Sequence, residues 1–141
     1  MRVIALDHGL ARCGVAVCDR TGTLARPLDP IELPDSRAGR AAIARLVAEL
    51  EAEQVLVGLP LSLSGQETEQ TRAARDFARR LERALGSSAQ VELCDERLTT
   101  RLAAARARER PGERPRFSED SRAAAALLET WLARRAGRRL R

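Results

Sequence analysis

The sequence predicts an α/β protein in which a short strand meander leads into strands that alternate with helices. Three observations predict it: two short apolar runs at the start, a change of hydrophobic period after Ser36, and later apolar runs, stopped by Gly, Pro or acid, between helical stretches. At 141 residues the chain is read as one domain, spanning 1–141, large enough to bury a real core and too small for two lobes.

Val3 to Leu6 is an apolar run that ends at Asp7, and Gly14 to Cys18 is a second, with "HGLARC" between them. This reads as two strands joined by a tight connection. A third strand is placed within Thr23 to Leu33, made irregular or confined to an edge by Pro27, Pro30 and Pro34. From Ser36 the period changes: Ala41, Ala42, Ile43, Leu46, Val47 and Leu50 form one face of a helix that Ser36 can cap. "QVLVGLP", residues 54 to 60, is a buried strand stopped by Gly58 and Pro60; the polar loop "LSLSGQETEQ" follows, then a second helix to about Leu85. "VELCDERL" supplies another strand, and Thr99 or Thr100 opens a short Ala/Arg helix that ends in "ERPGERPRF". Residues 110 to 117 read as a mobile surface loop. The last helix starts near Ser118 and carries Ala123, Ala124, Leu127, Leu128, Trp131 and Leu132 on one side.

The resulting order is β-β-β-α-β-α-β-α-α, with strands 1, 4 and 5 parallel and strands 2 and 3 antiparallel. Ligands of such open sheets bind beyond the carboxyl ends of the parallel strands. Asp7, the "GLP" turn and "DER" end those strands, so all three meet at one edge.

Composition narrows the chemistry. Cys13, Cys18 and Cys94 are an odd number without metal-ligand spacing, which predicts reduced, packed thiols and no zinc site. His8 is the one histidine, so an enzyme here would work mainly through carboxylates. Met1-Arg2 leads straight into a strand with no signal-peptide pattern, and no apolar run approaches membrane-spanning length, so a cytoplasmic protein without a membrane partner is expected.

The net charge of +5 is unevenly spread. Residues 1 to 96 hold 12 Arg against 15 acids, whereas residues 97 to 141 hold 13 Arg against 5. All 25 basic residues are arginine, a side chain suited to bidentate phosphate contact, and nucleic acid is the partner this charge favours over a merely solvated surface. Phe77, Phe117 and Trp131 are too few for a base-stacking platform, so contact with the sugar-phosphate backbone is expected to dominate.

Four segments, "LDHGLARCGVAV", "VGLPLSLSGQETEQTRAARDFARRL", "DERLTT" and "EDSRAAAALLETWL", occur in an order and spacing that resembles the YqgF family, also named RuvX, across nearly the whole chain. The resemblance implies a ribonuclease H-like fold with a mixed five-stranded sheet of order 3-2-1-4-5 flanked by helices. It also implies a bacterial protein with metal-dependent nuclease activity in processing the 5′ end of precursor 16S ribosomal RNA, and action on DNA junctions.

Asp7, Glu96 and Asp120 match the family's acidic positions, which implies that they are catalytic and hold metal. Two-metal phosphodiester cleavage needs carboxylates from separate elements around ions roughly 4 Å apart, and hard oxygen ligands favour Mg²⁺ or Mn²⁺. Many ribonuclease H-like enzymes take their second acid from the end of strand 4, where this chain has only Gly58, Leu59 and Pro60. Glu96 would have to reach inward from strand 5, about 4.8 Å further out, while its neighbour Asp95 assists or points the other way by strand alternation. Each acid also has a plainer reading: Asp7 as a turn former, Glu96 as an arginine partner, Asp120 as a helix N-terminal residue.

Gly9 is expected to let the backbone approach a metal or phosphate, or simply to serve the turn. Ser62 and Ser64, in the loop from Pro60 to Gly65, and Arg12, Arg97 and Arg101, beside the acids, are the nucleic-acid-binding candidates, against a plain loop and surface charge. Ala123 and Ala124 are expected to let the last helix pack closely on the sheet, and Trp131 to sit in the core rather than stack on a base. The tail at 134–141, "RRAGRRLR", grips RNA or is disordered. A homodimer is what junction resolution would require.

Two other readings compete. An ATP-binding fold of the actin type shares an Asp-x-Gly turn between strands, but needs two lobes. A catalytically silent nucleic-acid-binding ribosome-assembly factor would keep the basic third of the chain and use the acids only for folding.

Overall fold

The computed structural model describes residues 1–99 and 119–139. Its elements are β1 (Val3–Asp7), β2 (Arg12–Cys18), β3 (Ala25–Glu32), α1 (Arg37–Glu49), β4 (Gln54–Leu59), α2 (Glu69–Leu85), β5 (Gln90–Asp95), a 3₁₀ turn (Glu96–Leu98) and α3 (Glu119–Arg139). The short helix expected after Thr99, the loop at 110–117, and Arg101, Phe117 and Ser118 lie outside the described residues.

One five-stranded sheet runs in the order β3-β2-β1-β4-β5. β1 pairs parallel with β4, β4 with β5, and the meander β1-β2-β3 is antiparallel. β3 takes the edge, as Pro27 and Pro30 require, since neither ring nitrogen can donate to a ladder. Register aligns the ends that matter: Asp7 lies opposite Gly14, Leu6 opposite Val57, and Gly58 opposite Cys94.

Side chains alternate between the two faces, and each face has its own helices. Ile4, Leu6, Val15, Val17, Val55 and Val57 pack with Ile43 and Val47 of α1 and Phe77 and Leu81 of α2. Val3, Ala5, Ala16, Cys18 and Leu56 pack with Ala124, Ala125, Leu128 and Leu132 of α3. The helix face expected in α1 is narrower than the sequence suggested, with Gly39, Ile43 and Val47 buried and Ala41 exposed. Caps occur where hydroxyls precede helices: Ser36 Oγ accepts from Gly39 N, and Thr68 with Thr71 closes a capping box at α2.

The α3 face is lined by small residues, and α3 comes correspondingly close. A Cβ on Gly14 would collide with the main chain of Asp120 and Ser121. The β2–β3 register shifts between Cys13 and Val15, and Val15 N donates to the buried Ser121 Oγ at 3.1 Å. Close packing therefore rests on Gly14 and Ser121 together with Ala124 and Ala125; Ala123 is exposed and takes no part. α3 continues to Arg139, so the part of the basic tail at 134–139 is helical. Among the described residues no helix is long and apolar enough to cross a membrane.

This packing predicts that Gly14→Val lowers stability by at least about 2 kcal/mol in chemical denaturation, because backbone on both sides must move. Gly137→Ala, whose new Cβ meets open space in the same helix, should leave stability unchanged or raise it by up to about 1 kcal/mol.

Candidate active site

Alternation decides which acids can meet. Val3 and Ala5 face α3, and Asp7 continues their parity at the end of β1. Leu56 faces α3 on β4, so Gly58 does too, and on β5 Cys94 packs toward α3 while Glu92 bonds Trp131 of that helix. Glu96 follows in the same step, just past the strand end.

The missing side chain of Gly58 is what admits Glu96. A Cβ at Gly58 would lie 2.5 Å from Glu96 Oε1 and 3.1 Å from its Cγ, so Glu96 occupies the space that a β4 side chain would fill. It thereby crosses one strand and shares a side-chain hydrogen bond with Asp7. The third acid, Asp120, stands in the first turn of α3, whose main chain rests on Gly14, and its charge is felt at Asp7.

Asp7 responds as a crowded acid must. Burial first, then the hydrogen bond and charge of Glu96 and the charge of Asp120, raise its carboxyl from 3.8 to about 8. With its carboxyl raised this far, Asp7 keeps its proton through neutral pH, hydrogen-bonded to the Glu96 side chain. As the side chains stand, no group of three His, Cys, Asp or Glu among the described residues converges tightly enough to hold an ion. The pair Asp7–Glu96 is joined, and Asp120 stands beside it.

The remaining candidates are placed less centrally. Asp95 accepts from Arg97 N at 2.9 Å, opening the 3₁₀ turn, and pairs with the Arg97 guanidinium at 2.7 Å, which holds its carboxyl below the usual range. That pairing turns Asp95 away from Asp7. Arg97 also lies against the loop after β4, with Nη1 3.5 Å from the Leu63 carbonyl and 3.3 Å from where a Gly65 Cβ would stand. Ser62 and Ser64 bond each other at 2.9 Å, and Ser62 Oγ accepts from Gln66 N, so both hydroxyls shape that loop. Arg12 is exposed at the start of β2. Gly9 is demanded by the turn itself, because a Cβ there would lie 2.7 Å from the Arg12 carbonyl.

His8 has the opposite parity and leaves the site. Its Nε2 lies 2.9 Å from Asp35 Oδ2, its ring stacks on Phe77 at 4.7 Å, and its side chain is 4% exposed. The three cysteines are free thiols; burial raises Cys13, followed by the charges of Asp7 and Asp120, and burial pushes Cys94 up to about 12. Gly58 is the residue that sequence reasoning took for a strand stop. The signal was available: a glycine where an acid is expected, beside a strand that Glu96 follows.

Comparison with known proteins bears on this arrangement. The family profile RuvX, described as Holliday junction resolvase, matches residues 1–134. The chain belongs to the RuvX family. A RuvX relative from Anaeromyxobacter dehalogenans, named "Putative pre-16S rRNA nuclease", is 41% identical over 138 residues, covering 96% of this chain and 99% of the relative. Another from Anaeromyxobacter sp. strain Fw109-5, with the same name, is 42% identical over 134 residues, covering 94% and 96%. Among solved structures, T. thermophilus RuvC in complex with Holliday junction substrate superposes with a TM-score of 0.67 at 17% identity, covering 97% of this chain and 96% of that one. The RuvX chain thus has the ribonuclease H-like fold expected of it.

Two outcomes follow. Because the folded state binds a proton at Asp7 that the unfolded chain has already lost, cation-free protein should lose stability as pH rises from about 4 to about 8. Thermal melts in EDTA across that range check this, and Asp7→Asn should flatten the slope. Gly58→Ala should displace the flexible Glu96 head, keeping the melting temperature within a few degrees while weakening divalent-cation affinity by roughly 10-fold or more.

Proposed function

We propose that this RuvX-family protein is a divalent-metal-dependent nuclease that hydrolyses phosphodiester bonds at the 5′ end of precursor 16S rRNA in the cytoplasm. The observation that carries this reading is the Asp7–Glu96 hydrogen bond over Gly58, within reach of the Asp120 charge. Acids this close are held apart from their ordinary ionisation only until a cation replaces the shared proton. The names of the curated relatives support precursor rRNA as substrate.

The donor set fits a hard divalent ion. Asp7, Glu96 and Asp120 offer carboxylate oxygens and no sulfur or imidazole, which favours Mg²⁺ or Mn²⁺. Such an ion supplies Lewis-acid stabilisation of the phosphoryl oxygens and lowers the pKa of the attacking water.

The rest belongs to the chain. Asp7 must release its carboxyl proton for both acids to ligate, which couples cation affinity to pH. Glu96 is aimed by the β5 end and the 3₁₀ turn, and the Asp95–Arg97 pair anchors that turn against the Leu63–Gly65 loop. Arg12, at the start of β2, supplies an exposed cation for substrate phosphates. Ser62 and Ser64 extend the same surface in this reading, and Arg101, outside the described residues, is a further candidate for phosphate contact by its place in the sequence.

A second reading, cleavage of Holliday junctions, is favoured by the family's description and the fold shared with RuvC, and it would call for a two-fold homodimer. Labelled precursor 16S leader RNA, single-stranded DNA and a four-way junction, each with Mg²⁺, Mn²⁺ or EDTA, separate the readings. Wild type should cut the RNA only with metal, and Asp7→Asn should lose about a hundredfold or more while retaining salt-sensitive binding. Preferential junction cutting moves the assignment to the second reading, and binding without cleavage of any substrate overturns the nuclease.

A further inference from the structure

Outside the carboxylate site, a cleft of about 260 Å³ lies between β5 and the second half of α3. Its walls include Glu92, Cys94 and Asp95 on the strand and Trp131, Arg134 and Arg135 on the helix. β5 is an edge of the sheet, so the cleft is bounded there by a strand with no further sheet neighbour among the described residues. It opens beside Asp95, one residue from Glu96.

Three features of the cleft point to a flat, anionic ligand. Trp131 is half-buried, and its indole N–H donates to Glu92 Oε2 at 2.7 Å, which fixes the plane of the ring. The Arg135 guanidinium lies over that ring, 5.2 Å from its centroid. Its Nε is buried yet has no hydrogen-bond partner among the described residues. A buried charged donor without an acceptor is costly, and the missing acceptor is what a phosphate or a base carbonyl provides. The cleft volume is also adequate, since about 150 Å³ suffices to hold benzene.

We propose that this cleft binds one unpaired nucleobase of the substrate strand, stacked against Trp131, with Arg135 and Arg134 taking its phosphate. The proposal rests on the nucleic-acid reading above and extends it to a second position on the strand. Trp131 lies eleven residues beyond Asp120 on one helix, about 16 Å along its axis, so the base held here is not at the scissile bond. A strand end or single-stranded segment suits such a site, because a base still paired in a duplex cannot enter it. Trp131 packs against the α3-side core, as expected, but its ring is only partly covered by its own fold.

The chain carries one tryptophan and no tyrosine, so intrinsic emission reports on this cleft directly. Wild-type protein in EDTA is titrated with a dye-labelled single-stranded RNA oligomer, with single-stranded DNA, and with an abasic DNA oligomer of equal length and charge. Binding is followed by dye anisotropy and stacking by Trp131 emission. Base-bearing oligomers should quench Trp131, while the abasic oligomer should bind more weakly and leave emission unchanged. Trp131→Ala should weaken binding of base-bearing oligomers roughly 5- to 150-fold, the range of a lost stacking contact. Arg135→Gln, on a partly exposed side chain, should weaken it without disturbing the fold.

Oligomer bound with no change in emission overturns the proposal, as does equal quenching by the abasic strand. Failure of every oligomer to bind at low salt overturns both this inference and the nucleic-acid reading. Quenching by base-bearing strands in a protein that cuts nothing with any metal leaves the cleft in place and removes only the nuclease.

Discussion

The crowding of the buried Asp7 carboxyl against Glu96 is the interaction on which the carboxyl edge of this protein depends. Two carboxylates at hydrogen-bond distance repel, and burial strengthens the repulsion by thinning the solvent that would screen it. A proton on Asp7 or a cation between the groups relieves it, and the raised Asp7 carboxyl marks the first solution. The backbone leaves little third choice. Asp7 is held by β1 pairing on both sides, and Glu96 by the strand end and the turn that Asp95 caps. Such a pair costs the cation-free fold stability near neutral pH, the sign expected where perturbed acids are gathered at a functional site.

The route by which Glu96 arrives explains an apparent gap in the sequence. Sheet position places β5 one strand beyond β4, too far for an ordinary side chain to reach β1 over a filled neighbour. Removing the β4 side chain at Gly58 opens that path, and the length of Glu over Asp covers it. The acid missing from the end of β4 and the glycine present there are therefore one feature. Gly14 does the equivalent work on the other side of Asp7, where its absent Cβ lets the α3 main chain settle on the sheet and bring Asp120 alongside.

Much of this was legible in the sequence. Among the described residues, the order of strands and helices and the parallel and antiparallel pairings follow from period and punctuation because those signals are local, and the proline-bearing strand, read as irregular or an edge, takes the edge. Spacing and resemblance singled out the three acids, of which the structure joins Asp7 to Glu96 and brings the charge of Asp120 to bear on Asp7. What eluded the sequence was the use of empty space: nothing local distinguishes a glycine that ends a strand from one that admits a side chain from the next strand. His8 shows the same limit in reverse. Its place beside Asp7 invites a chemical role, yet one step of strand alternation sends it to the opposite face, against Phe77 and Asp35. Arg97 and Asp95 were named as separate candidates, and their mutual pairing is a short-range contact that a strand-end bend made and a straight strand would not.

The two ends of α3 carry opposite charge in the sense a helix favours, acids in the first turn and arginines toward the last. Partial positive charge at the N-terminus offsets some of the repulsion that Asp120 brings to Asp7. One rigid element thus carries an acid for the carboxylate edge and the cationic wall of the Trp131 cleft, at a separation fixed by helical rise. The dependence runs through Gly14 and Ser121: if α3 lifts from the sheet, Asp120 leaves the carboxylate pair and the helix wall of the cleft moves with it. A single packing contact on the small-residue face would then govern both the carboxylate cluster at one end of the helix and the shape of the Trp131 cleft at the other.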